Sequence, residues 1–341
     1  MSLQAMMDQP SPPSRRRRRG RRLGCLSFAL MLAVVVGVGV YLGTHRDLLP
    51  IPVPEGCTVD SADGTIGLSI EQMDNAGTIA AVGMSRSLPE RAVTISLATA
   101  MQESKLINLT GGDRDSIGLF QQRPSMGWGT PDQIGDPVYA TNKFLDKLVQ
   151  IQGYTQLPLT VAAQDVQHSG FPDAYATHET DATVLSGALT GRVPAALNCT
   201  VNSVGTTTTG SVSSDGLQPG ASAVVQRMQK EFGRVVGTVR AVPNADPTAA
   251  GTAGTGTATP ARSSSATPAP AGLALDVTPR AGTAAGGWAM AQWAVAHCQD
   301  LHIADVEYAG KAWTSSDSTK GWQASTDGAP TGSVRITVAG Q

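Results

Sequence analysis

Metal-binding side chains are scarce in this chain. Its 341 residues include five histidines and four cysteines, and none of these recurs at metal-ligand spacing. A metal-handling or transport protein therefore ranks last among the function classes, and the sequence calls for no cofactor and no metal. A Ser-His-Asp or Cys-His nucleophile finds no supporting motif either. Acid is nearly missing from residues 1–46, which hold eight arginines, no lysine and one carboxylate, Asp8. The remainder then carries 17 basic and 26 acidic residues, a formal net of −9. Such an exterior is not made for broad attraction to polyanions, nucleic acid included. A grip on an anionic cell wall has to come from a shaped groove.

What the N-terminus does have is order. Arg15 to Arg19, with Arg21 and Arg22, is followed at once by an uncharged apolar stretch, Leu23 to Gly43. At 1.5 Å per residue such a stretch can cross a hydrocarbon core of ~30 Å. A cleaved signal peptide has a shorter apolar region and a small-residue cleavage site, and neither fits here. A lipoprotein does not fit, because Cys25 precedes the apolar stretch. The expectation is a cytoplasmic basic tail (1–22), a single transmembrane anchor (23–43), a juxtamembrane linker (44–56) and everything else outside the cell.

The segment from Ala100 to Gln122, AMQESKLINLTGGDRDSIGLFQQ, carries the chemistry. Glu103 sits where an apolar helical run gives way to a glycine-rich loop. Asp113 and Asp115 follow in that loop. Cleaving a glycoside requires an acid to protonate the leaving oxygen, and a second group to activate water or offset developing charge. A carboxylate half desolvated at a helix end can keep its proton near neutral pH. A helix C-terminus also disfavours negative charge, so Glu103 needs a reason beyond structure. Asp in such a loop is first a turn residue, and Asp113, Arg114 and Asp115 can equally form a local ion-pair network.

These residues resemble a family. Glu103-Ser104, Gly112-Asp113-Arg114 and Gly118-Leu119-Phe120-Gln121 occur in the order seen in goose-type lysozymes and soluble lytic transglycosylases, with Phe120 where Met is usual. Ala162 to Gly170 resembles the later transglycosylase helix that ends in Tyr-Asn-Ala-Gly, with Gln167, His168 and Ser169 in place of Tyr, Asn and Ala. The resemblance spans about residues 57–199. It implies a mostly α lysozyme-like domain with a small hairpin region, Glu103 as general acid and Asp113, or else Asp115, as the second carboxylate. Ser104, Gln121, Gln122, Trp128 and His168 are the implied substrate-binding residues. Each has a plainer use. Gln121 or Gln122 can satisfy backbone groups, Trp128 can anchor the core, and His168 can simply end its helix. Tyr139 and Tyr175 read as core residues. Cys57 and Cys199 bracket the segment on the outer side of the membrane and are expected to form a disulfide. Cys298 reads as a buried thiol.

After a Thr-, Ser- and Gly-rich linker (200–215), residues 216–341 read as a small α+β domain with a disordered insertion at 244–270. Its Gly272-Leu273-Ala274-Leu275-Asp276-Val277 strand, helix and final strand resemble domains related to zinc-dependent D-Ala-D-Ala peptidases. The last strand, Ser333-Val334-Arg335-Ile336-Thr337, has no histidine, so only Asp276 matches a ligand position. That resemblance implies a degenerate domain with a binding role. The combined expectation is a membrane-anchored enzyme at the cell wall. It would cleave peptidoglycan glycan strands by hydrolysis or transglycosylation, with cell-wall machinery proteins as possible partners. The alternative is a non-catalytic peptidoglycan-binding or scaffold protein on the same fold.

Overall fold

The computed structural model describes residues 31–34, 36–37, 53–208, 210–242, 273–325 and 329–340. The chain divides into residues 1–52 and residues 53–341. In the first unit, residues 31–34, 36 and 37 are helical. The expected membrane span at 23–43 lies mostly outside the described residues, and the expected insertion at 244–270 lies wholly outside them. No helix among the described residues is long and apolar enough to cross a membrane.

The second unit is built around helix α1, Ile70–Ser85. Ser69 starts it with a reciprocal cap. The Ser69 hydroxyl accepts from the Gln72 amide and the Gln72 side chain accepts from the Ser69 amide, satisfying two donors that a helix start leaves free. Its middle is small and fully buried, with Ala76, Ile79 and Ala80 at or near zero exposure. That lets α2 (Glu90–Ser104), α3 (Pro137–Leu148) and α5 (Glu179–Leu189) pack against it. Asp136 caps α3 by accepting from the Val138 amide. Helix α4, Leu159–Gln167, and a 3-10 turn at Ala174–His178 complete this part.

The small hairpin lies outside the glycine-rich loop. Residues 109–116 are irregular, with a turn at Arg114–Asp115, and one isolated bridge joins Ile117 and Gln122. Two adjacent glycines and a left-handed Arg114 (φ 57°) do not supply the β-branched alternation a ladder needs. The sheet is made from the two ends of the 57–199 segment instead. Strands β1 (Gly56–Ser61), β2 (Gly64–Leu68) and β3 (Leu197–Thr200) form it in the order β2-β1-β3, all antiparallel. Cys57 and Cys199 are direct partners across β1 and β3 and are joined in a disulfide. The bridge closes a separation of 142 residues, which in the chain-entropy picture stabilises by ~3–5 kcal/mol. Non-reducing peptide mapping is expected to recover the linked pair, and reduction to lower the melting temperature. Free thiols at both positions would contradict the pairing.

The C-terminal part comprises α6 (Pro219–Phe232), β4 (Val236–Ala241), β5 (Ala274–Pro279), α7 (Ala284–Ala296), β6 (Ile303–Tyr308), β7 (Lys311–Thr314), β8 (Gln323–Ala324) and β9 (Val334–Val338). Its sheet is antiparallel in the order β4-β5-β9-β6-β7-β8. Asp276 stands opposite Arg335 in the β5–β9 register. The two make a bidentate ion pair at 2.9 and 3.1 Å, so the one carboxylate at a zinc-ligand position already has a fixed cationic partner.

Helix α7 is buried on every side, because it lies between this sheet and the helical part. Gln292 shows how closely the two parts fit. Its carbonyl accepts from the Ala196 and Leu197 amides, both at 2.9 Å, and its amide donates to the Ala188 and Val193 carbonyls. The stretch expected as a linker is tied down as well. Val201 and Val204 are buried, Ser318 exchanges hydrogen bonds with Val201, and Thr207 bridges Gly340. Trp288, Trp293 and Trp313 are core residues.

Buried charge sits at the same junction. Glu231 on α6 is fully buried and accepts from Thr78 of α1 at 2.9 Å and from Trp293 of α7 at 2.6 Å. Arg227 pairs with Glu231, Asp74 and Asp300. His297, also fully buried, bonds Asp74 and lies 3.5 Å from Glu231.

Candidate active site

Glu103 lies in the last turn of α2. The helix stops there because Lys105 and Leu106 both turn left-handed, at φ 57° and 61°. The amide of Leu106 reaches back to the Ala100 carbonyl, a Schellman-type closure made without the glycine usual for it. Leu106 is fully buried, so core packing holds this conformation. Ser104 serves the scaffold. It is buried, and its hydroxyl donates to the Ala100 and Leu119 carbonyls. It thereby pins the helix end to the turn that carries Gly118 and Gln121.

Glu103 opens into a groove of about 630 Å³, which Asp113, Gln121, Trp128, Asp165 and His168 also line. Burial raises the Glu103 pKa, and hydrogen bonds from Tyr175 and Gln167 pull it partway back. The Tyr175 hydroxyl donates to Glu103 at 2.5 Å. Burial and the neighbouring carboxylate both push the phenol pKa well up, so Tyr175 stays a neutral donor. Tyr175 is fully buried and so is a core residue, as the sequence suggests, but its hydroxyl reaches the site. No signal in the sequence marks that role, because the 3-10 turn carrying it meets α2 only through packing.

The two loop carboxylates separate cleanly. Asp115 accepts from Arg123 at 2.7 Å and from the amide and hydroxyl of Ser125. These partners hold its carboxyl well below the usual carboxylate range, and it is not among the groove-lining residues. It braces the 123–126 turn. Asp113 lines the groove with its side chain 94% exposed, and its contact with Arg114 is a loose 3.9 Å. It shares the groove with Glu103, and no close partner among the described residues fixes it. The Gln121 side chain lies close over the glycine before it: a Cβ at Gly112 would sit 1.8 Å from the Gln121 side-chain oxygen and would have to displace it. Gln121 itself is left-handed (φ 47°) and folds back to the Gly118 carbonyl.

The remaining expected residues divide between groove and core. Gln122 reaches the groove edge but is buried, with its amide donating to the Ala140 carbonyl. Trp128 lines the groove with Lys147 over its ring at 5.2 Å. His168 lines it from the end of α4, at φ 51°. Asn and His are among the few residues that tolerate this conformation, which accounts for His168 at a position where the resembled helix carries Asn. Asp165, Met126 and Phe171 also face the groove, and the sequence did not single them out. Met126 and Phe171 are 67% and 76% exposed, an apolar edge that water does not favour.

Residues 213–333 are similar to the family whose model is described as VldE, C-terminal domain. No curated protein matches the chain. The Glu103 groove lies outside the matched residues, so what it does rests on its own geometry.

Proposed function

We propose that this protein cleaves the glycan strand of peptidoglycan, with Glu103 as the general acid, on a lysozyme-like helical domain. The observation that carries the reading is a half-buried carboxyl of raised pKa, fixed by a phenol, at the wall of a long groove. A carboxyl of that kind holds a proton at a pH where an ordinary glutamate has lost it. The groove offers an aromatic ring, amide side chains and an apolar edge, which suit sugar faces and N-acetyl groups. Asp113 is the second carboxylate, free to activate water on the far face of the sugar. Asp115 braces the loop. In the alternative reading the groove binds glycan without cutting it. The decisive experiment is digestion of purified peptidoglycan by the protein, with mass analysis of the fragments. New reducing ends mean hydrolysis, anhydro-sugar ends mean transglycosylation, and binding with no new ends means the scaffold reading.

Tyr175→Phe tests the electrostatics. The phenol donates to the carboxylate form of Glu103, so it lowers the Glu103 pKa. Removing it raises that pKa, and a general acid works only while protonated. The alkaline limb of the pH–activity profile is therefore expected to move to higher pH. An unmoved limb in a folded variant would separate Tyr175 from the site.

A further inference from the structure

A second cleft, of about 640 Å³, shares no lining residue with the Glu103 groove. It lies where the end of α1 meets the turn between α6 and β4 and the end of β5. Three arginines line it, Arg86, Arg234 and Arg280, together with Ser85 and Ser87, and no carboxylate does. Elsewhere among the described residues most arginines are paired. Of the ten described arginines, seven pair with a carboxylate. The three without such a pair among the described residues are Arg234, Arg240 and Arg280, and two of those three share this cleft.

Their proximity is built in. The Arg280 side chain donates through Nε to the Arg234 carbonyl at 2.8 Å, and its amide donates to the Val235 carbonyl at 2.9 Å. One side-chain-to-backbone and one backbone hydrogen bond thus hold Arg280 beside the turn that carries Arg234. Arg86 is fixed by the Asn142 carbonyl at 2.9 Å and by Asp146 at 2.8 Å. In a chain whose residues 47–341 carry a formal net −9, two arginines without a carboxylate partner beside a third that has one leave a local excess of positive charge, which calls for an anion. Guanidinium forks match oxyanions with two accessible oxygens, and the Ser87 hydroxyl adds a neutral donor. The volume exceeds that of one phosphate group and accommodates consecutive charges along a chain.

We propose that this cleft binds phosphodiester groups through Arg86, Arg234 and Arg280. Such groups recur in a poly(glycerol phosphate) polymer and in the headgroup of an anionic lipid. The test is binding of the full-length protein to short synthetic poly(glycerol phosphate) at low salt, beside binding to phosphatidylglycerol and phosphatidylcholine vesicles. The wild-type protein is expected to bind one anionic probe saturably, and the Arg234→Gln, Arg280→Gln double variant about tenfold or more weakly. Arg240→Gln, which removes an equal unpaired charge outside the cleft, is expected to bind normally. Binding of the soluble polymer assigns the phosphodiester to a polymer. Arginine-dependent binding of phosphatidylglycerol vesicles alone assigns it to lipid. Binding of neither probe, or equal loss in Arg240→Gln, overturns the proposal. Chemical modification of the wild-type protein gives a check that needs no variant. The bound probe should protect Arg234 and Arg280, but not Arg240, from an arginine-selective dicarbonyl. Failure to protect that pair overturns the proposal as well.

Discussion

Glu103→Gln is expected to lower peptidoglycan cleavage by ~10²–10⁴-fold, the usual worth of general-acid assistance, while leaving the melting temperature nearly unchanged. The amide has almost the shape of the acid and can still accept from Tyr175, whose hydroxyl lies 2.5 Å away, but it has no proton to give. Asp113→Asn adds a second reading. Its side chain is almost wholly in water, so no fold cost is expected. A strong loss with reducing-end products assigns Asp113 to water activation. Full activity with anhydro-sugar products assigns the second role to the substrate's own N-acetyl group. A folded Glu103→Gln protein of undiminished activity would remove Glu103 from the mechanism.

The second large effect concerns the buried charges between the two parts of the 53–341 unit. Burial alone would lift Glu231, but the charge of His297 and of Arg227 and the Trp293 hydrogen bond outweigh it and bring the carboxyl down to about 2. Burial alone would depress His297, but the carboxylates of Asp74 and Glu231 outweigh it and raise the imidazole to about 9. A group whose pKa is raised on folding stabilises fully below its unfolded value and loses that contribution as pH rises through the folded one. His297 therefore contributes fully below about pH 6.5 and loses its share by about 9. Glu231 works in the opposite sense. Its share is complete above about pH 4.5 and fades as pH falls toward 2. Stability is thus expected to be highest between about pH 4.5 and 6.5 and to fall on both sides. Glu231→Gln leaves Arg227 and His297 short of a buried counter-charge and is expected to cost ~3–5 kcal/mol. It should also flatten the decline in melting temperature from pH 6 to pH 9. A variant with unchanged melting and an unchanged alkaline slope would show that these charges do not act as a unit.

None of that network is visible in the sequence. Asp74, Arg227, Glu231 and His297 are scattered over more than two hundred positions, and each reads as an ordinary helix residue until packing brings them together. Local signals were legible. Ser69 and Asp136 start helices as their residue types predict, and Cys57 and Cys199 pair. The strands read at 272–277 and 333–337 reappear in β5 and β9. The small hairpin lies at the chain ends of the helical part, because a short antiparallel sheet closed by a disulfide needs little β pattern. In the groove, Glu103, Asp113 and Gln121 are marked by the resemblance. Tyr175 and Asp165 come from other elements and are not singled out by it. Ser104 stands beside Glu103 in sequence, yet its side chain turns to the core, because neighbouring positions point in different directions.

Gln292 has a consequence for how the molecule comes apart. Its four hydrogen bonds bind α7 to the backbone of Ala188, Val193, Ala196 and Leu197, and the Trp322 indole donates to the Leu197 carbonyl. A protease that nicked the chain near residues 205–211 would cut a connection without removing an interface. The two fragments would stay associated under native conditions and separate only in denaturant. Expressed alone, each would present to water a face made to meet the other, with apolar helix, half-made hydrogen bonds and unpaired charge. The two parts are separate stretches of sequence but a single object to a ribosome, a chaperone or a purification column.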